Sequence, residues 1–403
     1  MIGRMLRALS LIAATVLLLA GAARQAERPI LILISLDGWR WDYLDPAQTP
    51  HLHKLAAAGV RAEGLIPAFP SKTFPNHYTI VTGLSPEHHG IVSNTMVDRT
   101  IGRFTMSSAT AKDARWWGGE PLWVTAIRQG RRASVLFWPG SEAPIGGVRP
   151  NDWLPYSDAF PNTERIDRML TWLARPEGER PSFLTLYFND VDSAGHSFGP
   201  DSAQVMAAAA RLDGLIGSLI AGVEKLGLAS RTHYVVVSDH GMSQLSSDRT
   251  IFLDDYIDLS TIEVVDWSPA LQILPRSGSV EDIYRALKSR HPSLAVYRRE
   301  EMPLHLRYRA HPRIPPIIGL ADDGWSITSR ARSGGQRGGD HGYDPFYRSM
   351  HGLFVASGPA FRRGAIVPAF ENIHIYDLMC RVLGLTPARN DGDPALASRF
   401  LSR

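Results

Sequence analysis

Residues Leu31-Ile-Leu-Ile-Ser-Leu-Asp-Gly38 decide the fold. Leu31 to Leu36 runs apolar, without the alternation of a half-exposed strand, and stops at Asp37-Gly38. A strand apolar on both faces belongs inside a parallel sheet covered by helices. The neighbouring sequence agrees. Thr49-Pro50 opens a helix through Leu55 and Ala58, and Gly59 stops it. Ser134 to Trp138 reads as a strand, Glu164 to Leu173 as a helix and Phe183 to Phe188 as a strand. Ser202 to Leu226 reads as a long amphipathic helix and Tyr234 to Val237 as another strand. Leu353 to Ala356 adds a strand, and Tyr376 to Leu383 a closing helix. This alternation predicts an α/β fold, a central and largely parallel sheet with helices on both faces.

From about 251 to 333 the texture changes. Short strand-like pieces such as Ala270 to Leu274, a helix near Val280 to Ser289, and Pro312, Pro315 and Pro316 predict a small inserted, cap-like subdomain. Ser333-Gly-Gly-Gln-Arg-Gly-Gly reads as a flexible loop leading into Asp340-His341. There is no internal repeat and no low-complexity tract.

The chain has 403 residues, 44% apolar and 21% charged, which is globular rather than disordered. Its 43 basic and 40 acidic residues leave a formal charge of +3. So small a balance provides no field for gripping nucleic acid, and no stable nucleic-acid complex is expected. Arg4 and Arg7, the apolar run Leu9 to Leu19 and the small residues Ala20, Gly21 and Ala22 predict a signal peptide over 1–22. That places the mature chain in the periplasm or outside the cell, an uncleaved anchor being the alternative. The apolar run is too short to span a bilayer comfortably, so no span is expected in the mature form. Cys380 is the only cysteine, which excludes an internal disulfide and reads as a buried structural thiol.

Acids and imidazoles gather at strand ends, where α/β folds place their sites. Asp37 follows the first strand; Asp190, Asp192 and His196 follow Phe183–Phe188; Asp239 and His240 follow Tyr234–Val237; Asp340 and His341 follow the glycine loop. Carboxylate and imidazole without thiolate suit zinc or manganese in a hydrolytic site, and there are enough ligands for two ions. The segment Phe69-Pro-Ser-Lys-Thr-Phe-Pro-Asn-His-Tyr-Thr79 carries three candidate nucleophiles, Ser71, Thr73 and Thr79, and composition does not choose between them. A hydroxyl needs a base or a metal to activate it. No Gly-x-Ser-x-Gly elbow and no Gly-rich Lys-Ser/Thr loop occurs, which argues against a serine-hydrolase triad and against a P-loop.

Six blocks in order resemble the nucleotide pyrophosphatase/phosphodiesterase family of the alkaline phosphatase superfamily, in its compact bacterial form. They are Ser35-Leu-Asp-Gly-Trp-Arg, the run Phe69 to Gly83, Asp192-Ser-Ala-Gly-His-Ser-Phe-Gly-Pro, Val237-Ser-Asp-His-Gly-Met, Gly339-Asp-His-Gly-Tyr-Asp and Phe354-Val-Ala-Ser-Gly-Pro-Ala-Phe. The resemblance implies an alkaline phosphatase-like catalytic domain over 29–403 and a site with two zinc ions. It assigns Asp37, Thr73, Asp239 and His240 to one ion, and Asp192, His196 and His341 to the other. It makes Thr73 the nucleophile that becomes phosphorylated and Asn94 a donor to a phosphoryl oxygen. Phe74 and Tyr156 would sandwich a nucleobase. Pro345 departs from the family, which usually has Asn there; this bears on the loop after His341, not on the ligand. His351 matches no ligand position and reads as structural.

The implied activity is hydrolysis of nucleotide phosphodiester or pyrophosphate bonds to nucleoside 5′-monophosphate. The same chemistry on lysophospholipid, choline phosphodiester or phosphonate is the alternative. A non-catalytic binding protein is disfavoured, since all seven metal-contacting positions are present. Lys72 reads as a phosphate contact or a solvated charge, and Asp190 as a carboxylate orienting a histidine.

Overall fold

A computed structural model describes residues 28–332 and 337–402. The leader over 1–22 and residues 333–336 of the glycine loop lie outside the described residues. The principal strands are β1 (Ile30–Leu36), β2 (Val60–Ala62), β3 (Ala133–Leu136), β4 (Asp152–Leu154), β5 (Phe183–Phe188), β6 (Thr232–Val237), β7 (Ile262–Asp266), β8 (Ala270–Pro275), β9 (Leu294–Arg298), β10 (Ile317–Ala321), β11 (Phe354–Ser357) and β12 (Ala365–Val367). The principal helices are α1 (Pro50–Ala58), α2 (Thr73–Thr82), α3 (Leu122–Arg128), α4 (Asn162–Leu173), α5 (Asp190–Phe198), α6 (Ala203–Lys225), α7 (Val280–Leu287) and α8 (Ile375–Leu383).

Eight strands form the central sheet in the order β12-β2-β11-β6-β1-β5-β3-β4. All neighbours are parallel except β11, which runs antiparallel to both β6 and β2. The strand that decides the fold lies at the centre: every residue of β1 is buried. Its side chains feed two cores in alternation. Leu31 and Leu33 pack with α2, α3 and α8, whereas Ile30, Ile32, Ile34 and Leu36 pack with α1, α4 and α6 on the other face. Each such Leu or Ile contributes about 1.5–3 kcal/mol by burial, which fixes the register of the whole sheet.

Helix α6 is the one described helix long and apolar enough to cross a membrane. Its buried residues Val205, Ala208, Ala209, Leu212, Ile216, Leu219 and Val223 recur at helical spacing and pack in the core. Ser202 caps it by accepting the Val205 N–H at 3.3 Å.

A second, antiparallel sheet runs β7-β8-β10-β9. Leu271 and Ile273 pack on one face with Ile283 and Leu287 of α7. Ala270 and Ile318 on the other face join the central core beside Phe69 and Tyr308. The sheet is therefore anchored against the segment that leads into α2.

Strand β3 ends at Leu136, two residues before the sequence reading, because Phe137 takes a left-handed φ of 58°. The turn sends Trp138 to Glu142 around a cavity rather than along the sheet.

Candidate active site

Strands β1, β5 and β6 are adjacent and parallel, so their chains emerge at one sheet edge. The register continues one step past the strands, where Asp37 N–H donates to Phe188 O at 2.9 Å. Gly38 then turns at φ +66°, and a Cβ there would lie 2.8 Å from Asp192 Cα. Only glycine lets the two acidic segments approach so closely. Asp192 sits in the first turn of α5 and His196 one turn later, on the same face.

The donor atoms converge. His240 Nε2 lies 3.0 Å from Asp239 Oδ2, 3.4 Å from Asp37 Oδ1 and 3.4 Å from Thr73 Oγ1. Asp192 Oδ1 lies 3.4 Å from His196 Nε2 and 3.7 Å from His341 Nε2. The His240 and His341 rings stack with centroids 3.5 Å apart. All seven predicted metal-contacting residues thus meet in one cluster, whose overlapping sets are joined by Asp37 and Asp192, and His77 stands in it with Asp37 and Asp239.

The residues fit a metal on three counts. Asp37 Oδ1, Asp192 Oδ1 and Asp239 Oδ2 are buried without any hydrogen-bond partner. Each imidazole uses Nδ1 on a backbone carbonyl, His196 on Gly339 O at 2.9 Å, His240 on Gly241 O at 2.8 Å and His341 on Ser71 O at 2.9 Å. This leaves every Nε2 atom facing the cluster, the atom such a histidine offers to a metal. The separations also match, since ligands about 2.0–2.1 Å from one tetrahedral ion stand roughly 3.3–3.4 Å apart.

Electrostatics point the same way. Burial, then the charges of Asp239 and Asp192, push Asp37 well above the usual carboxylate range. Burial opposes the His240 imidazolium, but the surrounding carboxylates outweigh it and raise the ring to about 10. Burial, then His240 and His196, hold His341 well below its ordinary value and hence neutral. Packed acids that favour a cation in this way are what an ion would satisfy.

Thr73 is the first residue of α2, at the electropositive helix end. Asn94 Oδ1 accepts the Phe74 N–H at 2.9 Å. Phe74 and Tyr156 both line a cavity of about 400 Å³ that also reaches Asp37, Thr73 and Asp192. Its walls include Phe137, Trp138 and Tyr187, with Glu142 and Asp158 among its polar lining. Phe74 packs on Phe104 and Trp117, and Tyr156 packs edge-on against Phe137 and Tyr187 while its hydroxyl donates to Asp158.

Two residues take places that sequence reasoning did not foresee. His77 lies one helical turn after Thr73, fully buried; Nδ1 donates to Thr73 O at 2.8 Å, and Nε2 accepts from Ser35 Oγ at 2.7 Å. The i, i+4 spacing from the threonine was its signal. Tyr187, at the end of β5, donates to Asp37 Oδ2 at 2.6 Å. Two expectations are corrected. Asp190 orients no histidine and instead accepts both contacts from Asn162 Nδ2, at 2.9 and 3.1 Å. Lys72 is neither solvated nor free for phosphate, because it is buried in an ion pair with Asp266 at 2.5 Å. His351 is buried beside Arg348, away from the cluster.

The profile of the family described as "Type I phosphodiesterase / nucleotide pyrophosphatase" matches residues 31–344. The chain belongs to that family. It is 39% identical over 380 residues to human ectonucleotide pyrophosphatase/phosphodiesterase family member 1, covering 91% of this chain but 41% of that protein. It is 39% identical over 375 residues to mouse bis(5′-adenosyl)-triphosphatase enpp4, covering 92% of this chain and 81% of that one. The chain thus spans less than half of member 1 and most of the shorter relative. Among solved structures, murine ectonucleotide pyrophosphatase/phosphodiesterase 5, an inactive variant in complex with AMP, superposes with a TM-score of 0.89 at 35% identity. That superposition covers 93% of this chain and 100% of the other. The family's α/β architecture is therefore the fold described above.

Proposed function

We propose that the chain is a two-zinc phosphodiesterase and nucleotide pyrophosphatase that releases nucleoside 5′-monophosphate through a phosphothreonine at Thr73. The observation that carries this reading is the position of Thr73 Oγ1. It stands 3.4 Å from His240 Nε2, at the start of α2 and at the mouth of an aromatic cavity. When bound, zinc supplies Lewis-acid stabilisation of the charge on the attacking and leaving oxygens. Asp37, Thr73, Asp239 and His240 would hold one ion, and Asp192, His196 and His341 would hold the other. Thr73 gives up its proton to solvent water and attacks phosphorus in line. The P–O bond to the leaving alcohol or phosphate breaks, that group takes a proton from water, and a second water later cleaves the phosphothreonine, restoring the Thr73 hydroxyl and releasing the nucleoside 5′-monophosphate. Asn94, its Oδ1 occupied by Phe74, presents Nδ2 to the phosphoryl oxygens. Phe74 and Tyr156 stack on the base. The reading includes residence in the periplasm or outside the cell.

One observation favours a second substrate. An aromatic cavity that also carries Glu142 and Asp158 suits a quaternary ammonium, hence a choline phosphodiester.

Specificity constants for the p-nitrophenyl ester of thymidine 5′-monophosphate, bis-p-nitrophenyl phosphate, p-nitrophenyl phosphate and p-nitrophenylphosphorylcholine, with zinc present, separate the readings. Preference for the nucleotide ester is expected. Preference for p-nitrophenylphosphorylcholine over that ester would transfer the cavity to choline. Near-normal turnover by Thr73→Ala would remove the nucleophile assignment.

A further inference from the structure

Lys72 and Ser93 each stand one residue before a member of the reacting pair, Lys72 before Thr73 and Ser93 before Asn94. Both bind the same carboxylate oxygen. Asp266 Oδ2 accepts from Lys72 Nζ at 2.5 Å and from Ser93 Oγ at 2.6 Å. Asp266 closes strand β7 of the second sheet, so a single oxygen from that sheet joins two segments of the central domain. Lys72 Nζ also donates to Ser268 O at 3.1 Å. Its stem lies on Gly342, next to ligand His341: a Cβ at Gly342 would come within 2.9 Å of both Lys72 Cε and Pro269 Cδ. Lys72 and Ser93 are both buried, so water does not compete for these contacts.

The grip extends along the Asn94 loop. Tyr308 donates to Val92 O at 2.6 Å, and the buried Arg313 donates to Gly90 O at 2.9 Å and to Asp98 at 2.9 Å. Those contacts hold the loop on either side of Asn94, whereas Asp266, of these residues, touches both the loop and Lys72, the residue that caps the start of α2.

We propose that Asp266 is a positioning residue for phosphoryl transfer, which sets the distance between the Thr73 oxygen and the Asn94 amide through Lys72 and Ser93. The inference rests on the reading of Thr73 as nucleophile and Asn94 as donor. Asp266 neither lines the cavity shared by Thr73, Phe74 and Tyr156 nor belongs to the metal cluster. Its loss therefore acts on the geometry of the transition state rather than on substrate or metal binding.

The test uses the full chain with zinc and the p-nitrophenyl ester of thymidine 5′-monophosphate. Asp266→Ala is expected to lower kcat by about 10²-fold while KM stays within about threefold, since misplacement near 1 Å costs that much. Bound zinc, measured by mass spectrometry of the metal, is expected to equal that of the wild type. Ser93→Ala is expected to lower kcat in the same direction by about 3–10-fold, and the double variant to match Asp266→Ala alone, because Ser93 acts through Asp266. A kcat within twofold of wild type in Asp266→Ala overturns the proposal, as does a loss confined to KM or tracking lost zinc. Additive effects in the double variant overturn it too. Should Asp266→Ala not fold, unchanged kcat in both Asp266→Asn and Ser93→Ala has the same meaning. Failure of the underlying reading shows separately, as retained turnover in Thr73→Ala.

Discussion

Asn94 Oδ1 accepts the Phe74 N–H at 2.9 Å, so the amide next to Thr73, the proposed nucleophile, orients the side chain proposed to meet the phosphate. The bond also leaves Nδ2 as the end of the amide that remains to donate. Asn94→Ala should lower kcat by about 10²–10³-fold with little change in KM, the usual cost of a donor that acts on developing charge. Asn94→Asp should be worse still, since its second oxygen would face the phosphoryl group. Steady-state kinetics on the nucleotide ester checks both, and a change confined to KM would place Asn94 in ground-state binding.

Tyr156 is held edge-on by Phe137 and Tyr187, and Phe74 by Phe104 and Trp117, so both rings are fixed before substrate arrives. Tyr156→Ala and Phe74→Ala should each cost about 1–3 kcal/mol in kcat/KM for the thymidine ester. Hydrolysis of bis-p-nitrophenyl phosphate by Tyr156→Ala should change far less. Equal losses on both substrates would mean that the ring does not read a base.

Three buried carboxylate oxygens lack hydrogen-bond partners, and burial with neighbouring carboxylate charge pushes Asp37 and Asp192 above the usual range, a cost to folding that a cation would offset. Exhaustive chelation should therefore lower Tm, and zinc should restore it. An ion at a thousandfold excess over its Kd would add about 4 kcal/mol. Differential scanning calorimetry with and without chelator reads this directly. An unchanged Tm would speak against a tightly held ion.

Arg313, in the segment before β10, pairs with Asp98 beyond Asn94, and this pair has a pH signature. Burial pushes the Asp98 carboxyl up, but Arg313 and the Thr100 and Ile101 contacts outweigh it and hold the group well below the carboxylate range. A depressed acid stabilises the fold above its unfolded value and loses that stabilisation as pH falls through the folded one. The Tm gap between wild type and Asp98→Asn should thus be full at pH 6–7 and shrink below about pH 4. A gap independent of pH would assign the effect to shape rather than charge.

The central strands were legible because both their faces are buried, so Leu31–Leu36 and Phe183–Phe188 read as unbroken apolar runs. The acids beyond them follow from strand order alone. Helix α2 was not legible. Pro75 to Thr82 are all buried, polar and apolar alike, so no amphipathic stripe marks it. The same burial hid His77, whose polar atoms are satisfied by Thr73 O and Ser35 Oγ rather than by solvent. Lys72 was misread because its partner lies 194 residues along the chain, a pairing that no local pattern carries. Asp190 was misread for the opposite reason: its nearness in sequence to Asp192 suggested a shared task, yet it turns towards Asn162.

Strand β11 lies between β6 and β2, although it comes near the end of the chain. A ribosome completes β2 and most of the sheet before it makes the strand that joins them. Until Phe354 emerges, β6 keeps a bare edge, and β2 has neither β11 nor β12 to pair with. Nascent protein is therefore open to edge-to-edge association, and a late stop codon leaves that edge exposed for good. Export or chaperone capture ahead of the last fifty residues meets a chain whose sheet is still unfinished.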